Sequence, residues 1–171
     1  MNKPQITRMF YGSILCCLLI GCAKAPAEKP AEPPSIKSVD VVKASPQEVT
    51  LTPGEAGDAV VKLEIKNGYH VNANPPSFSY LKATQLEITP ADGISIQSMS
   101  YPNPLTRKFA FSEKPLAVYE GEATLKARLK ADKSTKPGTH NLSAKLSVQA
   151  CDEAVCYAPG TMDLTVPVNI K

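Results

Sequence analysis

Apolar and polar residues alternate with a period of two along most of the chain beyond about residue 39. Val61, Leu63 and Ile65 are interleaved with Lys62, Glu64 and Lys66, and Ala123, Leu125, Ala127 and Leu129 with Thr124, Lys126, Arg128 and Lys130. Leu142, Ala144, Leu146 and Val148 repeat the pattern, as do Met162, Leu164, Val166, Val168 and Ile170, while Gln85–Thr89 and Ile94–Ser98 supply shorter pieces. Such alternation sends one set of side chains to a buried face and the other to water, so these segments predict half-buried strands. Turn formers punctuate them at Pro53-Gly54, Asn67-Gly68, Asp92-Gly93, Pro137-Gly138 and Pro159-Gly160. About seven short strands at this spacing predict an all-β fold, an immunoglobulin-like antiparallel β-sandwich, with a closed barrel as the alternative.

Composition supports that class and narrows the chemistry. The 171 residues are enough for one domain. Sixteen prolines recur along the whole length, which argues against long helices and coiled coils. Nineteen basic side chains stand against 16 acidic ones, and loss of Lys3 and Arg8 with a removable N-terminus leaves 17 against 16, a formal +1. Nucleic-acid binding through a basic face is therefore not expected. With no tryptophan and only two histidines, His70 and His140, the chain lacks material for a multi-histidine metal site or a large cofactor pocket, and no cofactor is expected.

The N-terminus sets the compartment. Lys3 and Arg8 precede an apolar run through Ile14, Leu15, Cys16, Cys17, Leu18, Leu19 and Ile20, the layout of a secretory signal over residues 1–21. The run is shorter than the roughly 20 residues a permanent span requires, and no later segment approaches that length. Leu19-Ile20-Gly21-Cys22 resembles a bacterial lipobox, which makes Cys22 the expected lipidated N-terminus and the membrane attachment a lipid anchor. Residues 22–38 carry Pro26, Pro30, Pro33 and Pro34 among small and charged residues. That composition reads as an extended tether, reaching about 50 Å at roughly 3.1 Å per residue, with the folded domain over residues 39–171. Ala23 and Lys24 follow Cys22 with no aspartate, which favours the outer membrane if the bacterium has two.

Setting aside Cys16, Cys17 and Cys22 leaves Cys151 and Cys156, spaced C-x4-C between two expected strands. A short connection there brings the Cα atoms towards the window of about 4.4–6.8 Å that a disulfide needs. An exported protein permits that bond. A bond closing so short a loop is worth only about 2 kcal/mol in chain entropy, which makes this a poor place for a purely stabilising crosslink. A structural clip, a redox-active pair, a metal site and an intermolecular link all remain compatible with the spacing. Copper(I) held by both thiolates with Met99, Met162 or His70 is the form a metal site would take, though no methionine-rich motif accompanies them.

Further segments surround the pair: Gly68-Tyr69-His70-Val71-Asn72-Ala73-Asn74-Pro75, Tyr101-Pro102-Asn103-Pro104, Lys108-Phe109-Ala110-Phe111-Ser112-Glu113-Lys114-Pro115-Leu116, Val118-Tyr119-Glu120-Gly121, and Gln149-Ala150-Cys151 with Cys156-Tyr157-Ala158-Pro159. In this order they resemble the N-terminal, immunoglobulin-like domains of the thiol:disulfide interchange protein DsbD, also called disulfide bond corrector domains. The resemblance implies that Cys151 and Cys156 cycle between dithiol and disulfide, with Cys156 attacked by the upstream thiol and Cys151 as its resolving partner. It implies thioredoxin-like redox proteins and a membrane thiol-electron transporter as partners, and an oxidoreductase-like electron relay as the activity. It also implies a cap over the pair, here Lys108–Pro115, with Phe109 or Phe111 as the cap aromatic.

Tyr69, His70 and Tyr157 are the residues expected to line the site; exposed strand ends are the alternative for Tyr69 and His70. Arg107 and Lys108 stand where the best-known family member has two acids before its cap aromatic, and the nearest acid here is Glu113. Asp152 and Glu153 either raise the thiol pKa by like-charge repulsion or form a solvated turn. His140 is expected at the surface. The competing function is a non-catalytic β-sandwich lipoprotein for binding or assembly, with a permanent Cys151–Cys156 bond.

Overall fold

The computed structural model describes residues 36–171. The expected signal over 1–21, Cys22 and the tether up to residue 35 lie outside the described residues. One turn of 3-10 helix, Ser38–Val41, leads into strands β1 (Val42–Pro46), β2 (Val49–Leu51), β3 (Ala56–Ile65), β4 (His70–Asn72), β5 (Gln85–Ile88) and β6 (Ile94–Ser100). They continue as β7 (Leu105–Arg107), β8 (Leu116–Tyr119), β9 (Glu122–Ala131), β10 (Gly138–Val148), β11 (Ala150–Cys151) and β12 (Gly160–Ile170). Among the described residues no helix is long and apolar enough to cross a membrane.

Two four-stranded sheets, β1-β3-β9-β6 and β2-β12-β10-β5, make the sandwich. Their inner faces carry the alternating residues read from the sequence: Val61 and Leu63 on β3, Leu125 and Leu129 on β9, Leu142 and Leu146 on β10, and Val166 and Val168 on β12, all at 0 or 1% exposure. Each such side chain contributes about 1.5–3 kcal/mol by leaving water. All strand pairs are antiparallel except β2 with β12. Both sheets end in open edges, so the barrel alternative does not apply.

A third sheet, β11-β4-β8-β7, is built from strands of two to four residues. Short turns feed it from the sandwich. Asn67-Gly68, with Gly68 at φ 84°, carries the chain from β3 to β4, and Gly121 at φ 61° returns it from β8 to β9. Glycine occupies those angles at no steric cost.

β10 and β12 form one long antiparallel hairpin whose register runs from Gly138 opposite Ile170 to Val148 opposite Gly160. The segment between its legs holds both cysteines. Ser38, which composition assigns to the end of the tether, is fully buried against that segment. Its hydroxyl accepts from Ala150 N–H at 2.9 Å and donates to the Ala158 carbonyl at 2.6 Å, fastening the chain just before and just after the cysteine loop.

Candidate active site

Cys151 ends β11, and Cys156 lies opposite it across an antiparallel bridge. The two are joined in a disulfide with Cα atoms 3.9 Å apart, closer than the window expected from sequence. Tyr157 N–H donates to the Ala150 carbonyl at 2.8 Å, which brings the returning strand in beside β11. The exposures of the two sulfur-bearing residues differ. Cys151 is completely buried, whereas Cys156 is half-buried.

Asp152 shapes the loop between them. One carboxylate oxygen accepts from the backbone N–H groups of Ala154 and Val155, each at 2.8 Å, and its own N–H donates to the Val155 carbonyl at 2.9 Å. The other oxygen accepts from the Tyr157 hydroxyl at 2.5 Å. The Tyr157 hydrogen bond, then the two backbone donors, hold the Asp152 carboxyl below its ordinary pKa, and the same Tyr157–Asp152 bond pushes the Tyr157 phenol up to about 12. Asp152 is thus the organising residue of a tight turn, while Glu153 is exposed. The Tyr69 and Tyr157 rings meet with centroids 6.1 Å apart.

His70 sits directly opposite Cys151 in the β4–β11 register. It is 2% exposed, which departs from the exposed strand end considered for it, and the Phe109 ring is what covers it. Phe109 stacks on the imidazole with centroids 4.1 Å apart and planes 20° from parallel. Burial is the largest influence on His70 and lowers its pKa below 6.5, against a partial upward pull from Glu120, Glu153 and Asp152. Its Nε2 is buried without a hydrogen-bond partner.

The two phenylalanines of residues 108–115 stand in different settings. Phe109 is 2% exposed and packs with Leu116, Val118, Phe78 and Leu81 in a small core of its own. Phe111 stacks on the outer side of Phe109 at 5.3 Å and remains 39% exposed. Lys108 Nζ donates to the carbonyls of Ser112 and Glu113, closing the segment on itself. Arg107, one of the two bases that stand where the best-known family member has acids, is engaged in a two-pronged ion pair with Glu120 at 2.7 and 2.6 Å. This pair and Glu153 border a cavity of about 280 Å³ that also reaches Tyr69 and His70.

The sequence reading assigned no role to several residues that hold the site. Gln149 accepts through its side-chain oxygen from Asn72 Nδ2 at 3.0 Å and Lys82 N–H at 2.8 Å, and donates to the Tyr157 carbonyl at 3.2 Å. The Gln-Ala-Cys motif carried that information, but its partners are far away in the chain. Ser38 left no signal inside a proline-rich context. Met99 and Met162 pack against the main core, and the two sulfurs are bonded to each other. His140 is tied to Asp92 at 3.2 Å and to the Lys136 carbonyl at 2.8 Å.

Taken together, the fold and the site define a β-sandwich with an accessory sheet that presents a bonded cysteine pair in register with a buried histidine, on which Phe109 stacks. The chain belongs to the family of thiol:disulfide interchange protein DsbD N-terminal domains, whose sequence profile matches residues 38–167. The N-terminal domain of DsbD from Neisseria meningitidis, solved in reduced form, is 19% identical and aligns over 68% of this chain and 82% of that one, with a TM-score of 0.46. The N-terminal periplasmic domain of ScsB from Proteus mirabilis is 16% identical over 75% of this chain and 45% of that one, with a TM-score of 0.49. No curated protein matches the chain in sequence.

Proposed function

We propose that this protein is a lipid-anchored, extracytoplasmic electron relay working by thiol–disulfide exchange through Cys151 and Cys156. The observation that carries this reading is the unequal burial of the two bonded cysteines, Cys151 closed off from water and Cys156 half-buried. A thiolate from a thioredoxin-like donor attacks the accessible Cys156 sulfur, the Cys151–Cys156 bond breaks, and Cys151 leaves with the electron pair. The donor's second thiol then attacks the donor sulfur of the mixed disulfide, releasing Cys156 and leaving the donor oxidised. The reduced pair repeats the sequence in reverse on an oxidised periplasmic protein. Family membership supports the chemistry, and it supports thioredoxin-like proteins and a membrane thiol-electron transporter as partners. The Leu19–Cys22 motif and the proline-rich tether support anchoring on the periplasmic side of a bacterial membrane, the outer one if there are two.

Equilibration with thiol buffers tests the proposal. A reduction potential above about −300 mV fits a relay, whereas a value well below it marks a permanent structural bond and the non-catalytic lipoprotein. Cys156→Ser is expected to abolish exchange, and Cys151→Ser, its lone Cys156 first activated as a mixed disulfide with thionitrobenzoate, to accumulate a mixed disulfide with a donor lacking its own resolving cysteine as thionitrobenzoate leaves. Unchanged turnover in both variants overturns the relay.

A further inference from the structure

The pairing of short strands at the site creates a row that no sequence motif announces. In an antiparallel ladder, residues directly opposite one another point to the same face, with Cβ atoms about 4.5–5.5 Å apart. Cys151 is opposite His70 on one side and opposite Cys156 on the other, so the imidazole and both sulfurs share one face across three chain segments. Cys151 is the middle member and the one closed off from water. When the disulfide opens, the buried sulfur must carry either a proton or a charge, and the polar side chain opposite it in register is His70. The imidazole offers a free nitrogen: Nε2 is buried and unpartnered, an expensive state for a polar atom unless another chemical state uses it. Phe109 covers one face of the ring and fixes its plane.

We propose that His70 is the proton acceptor and donor for Cys151. This rests on the relay reading above and adds the step it lacks. When the reduced pair resolves a mixed disulfide, His70 Nε2 takes the proton from the Cys151 thiol. The resulting thiolate attacks Cys156 sulfur, the Cys151–Cys156 bond forms, and the bond between Cys156 and the partner sulfur breaks. The pair is oxidised, and the partner sulfur leaves reduced with the electron pair. The imidazolium then returns its proton to that leaving thiolate or to water. In the opposite direction the imidazolium protonates Cys151 as it leaves. Burial favours the neutral ring that a base requires; Glu120, Glu153 and Asp152 act on it as negative charges and Arg107 as a positive one, with Lys66 also bordering the adjoining cavity.

Reaction of the fully reduced protein with an aromatic disulfide such as dithiobis-nitrobenzoate separates the steps. The first thionitrobenzoate released reports attack by Cys156, and the second reports attack by Cys151 on the mixed disulfide. The wild-type second step is expected to level off with pH once His70 is neutral, below the range in which a free thiol ionises. His70→Gln is expected to slow that step at pH 7 by at least about tenfold, a conservative figure beside the roughly 100-fold or more that general acid–base catalysis usually contributes. Its second step then rises about tenfold per pH unit towards pH 8.5, while the first release is unchanged. His140→Gln, altering the other histidine, leaves both steps at wild-type rates. A wild-type second step that climbs with pH like a free thiol overturns the proposal without any variant, as does a His70→Gln profile identical to wild type. Failure of the first release in the wild type instead removes the relay reading itself.

Discussion

Truncating Phe109 to alanine tests whether the cap controls access to the disulfide. The ring is 2% exposed, stacks on His70 at 4.1 Å and packs with Leu116, Val118, Phe78 and Leu81. Full burial of a phenylalanine side chain is worth about 1.5–3 kcal/mol, and nearly all of that is realised here. Because this cluster belongs to the accessory sheet and is separate from the main core, most of the loss falls on closure of residues 108–115 and little on global unfolding. A loss of about 2 kcal/mol raises an open population roughly 30-fold. The oxidised variant is therefore expected to be reduced by dithiothreitol about 30 times faster than wild type, measured by alkylation of the released thiols at fixed pH. Phe111→Ala, which removes a ring already 39% exposed, is expected to accelerate reduction less than about threefold. Reduction of Phe109→Ala at the wild-type rate refutes the shielding argument. A fall of about 3–5 kcal/mol in global stability refutes the separation of the two cores.

Ser38→Ala removes the hydroxyl that bridges Ala150 N–H and the Ala158 carbonyl, and is expected to cost about 2 kcal/mol in urea unfolding, since a buried group left unsatisfied costs about 1–3. A change below about 0.5 kcal/mol contradicts the fastening role. Folding stability is also expected to fall as pH drops from 7 to 5. His70 has a lowered pKa in the folded state, so the unfolded chain takes the proton first; its contribution is complete above pH 6.5 and is lost on acidification through the folded value. His140 is pulled the other way by the Lys136 carbonyl and Asp92, so the comparison is made in a His140→Gln background. There His70→Gln should flatten the urea midpoint between those pH values; a midpoint that is already flat with His70 present contradicts the burial argument.

The sandwich was readable because β3, β9, β10 and β12 are ten or eleven residues long, enough for alternation to repeat several times. The accessory sheet was not. β4 is three residues with every side chain buried, so His70-Val71-Asn72 shows no alternation at all. β11 is two residues, too short for any period. Cys151 and Cys156 stood out by residue type and spacing, and Phe109 through the resemblance to a known family. The burial of His70 could not be anticipated, because it depends on a ring 39 positions further along the chain. For Asp152 a thiol-tuning charge and a solvated turn are both compatible with the sequence, and the backbone donors of Ala154 and Val155 show it as the pin of a turn.

The eleven-residue legs of the β10–β12 hairpin have a consequence for durability under repeated turnover. The cysteine loop crowns a ladder already zipped along its whole length down to Val148 opposite Gly160. Cutting the sulfur–sulfur link at the crest releases only the crest, because the rungs below carry the load without it. On the relay reading, chemistry and architecture are thereby mechanically insulated: opening the bond leaves the ladder from Gly138 opposite Ile170 to Val148 opposite Gly160 in place.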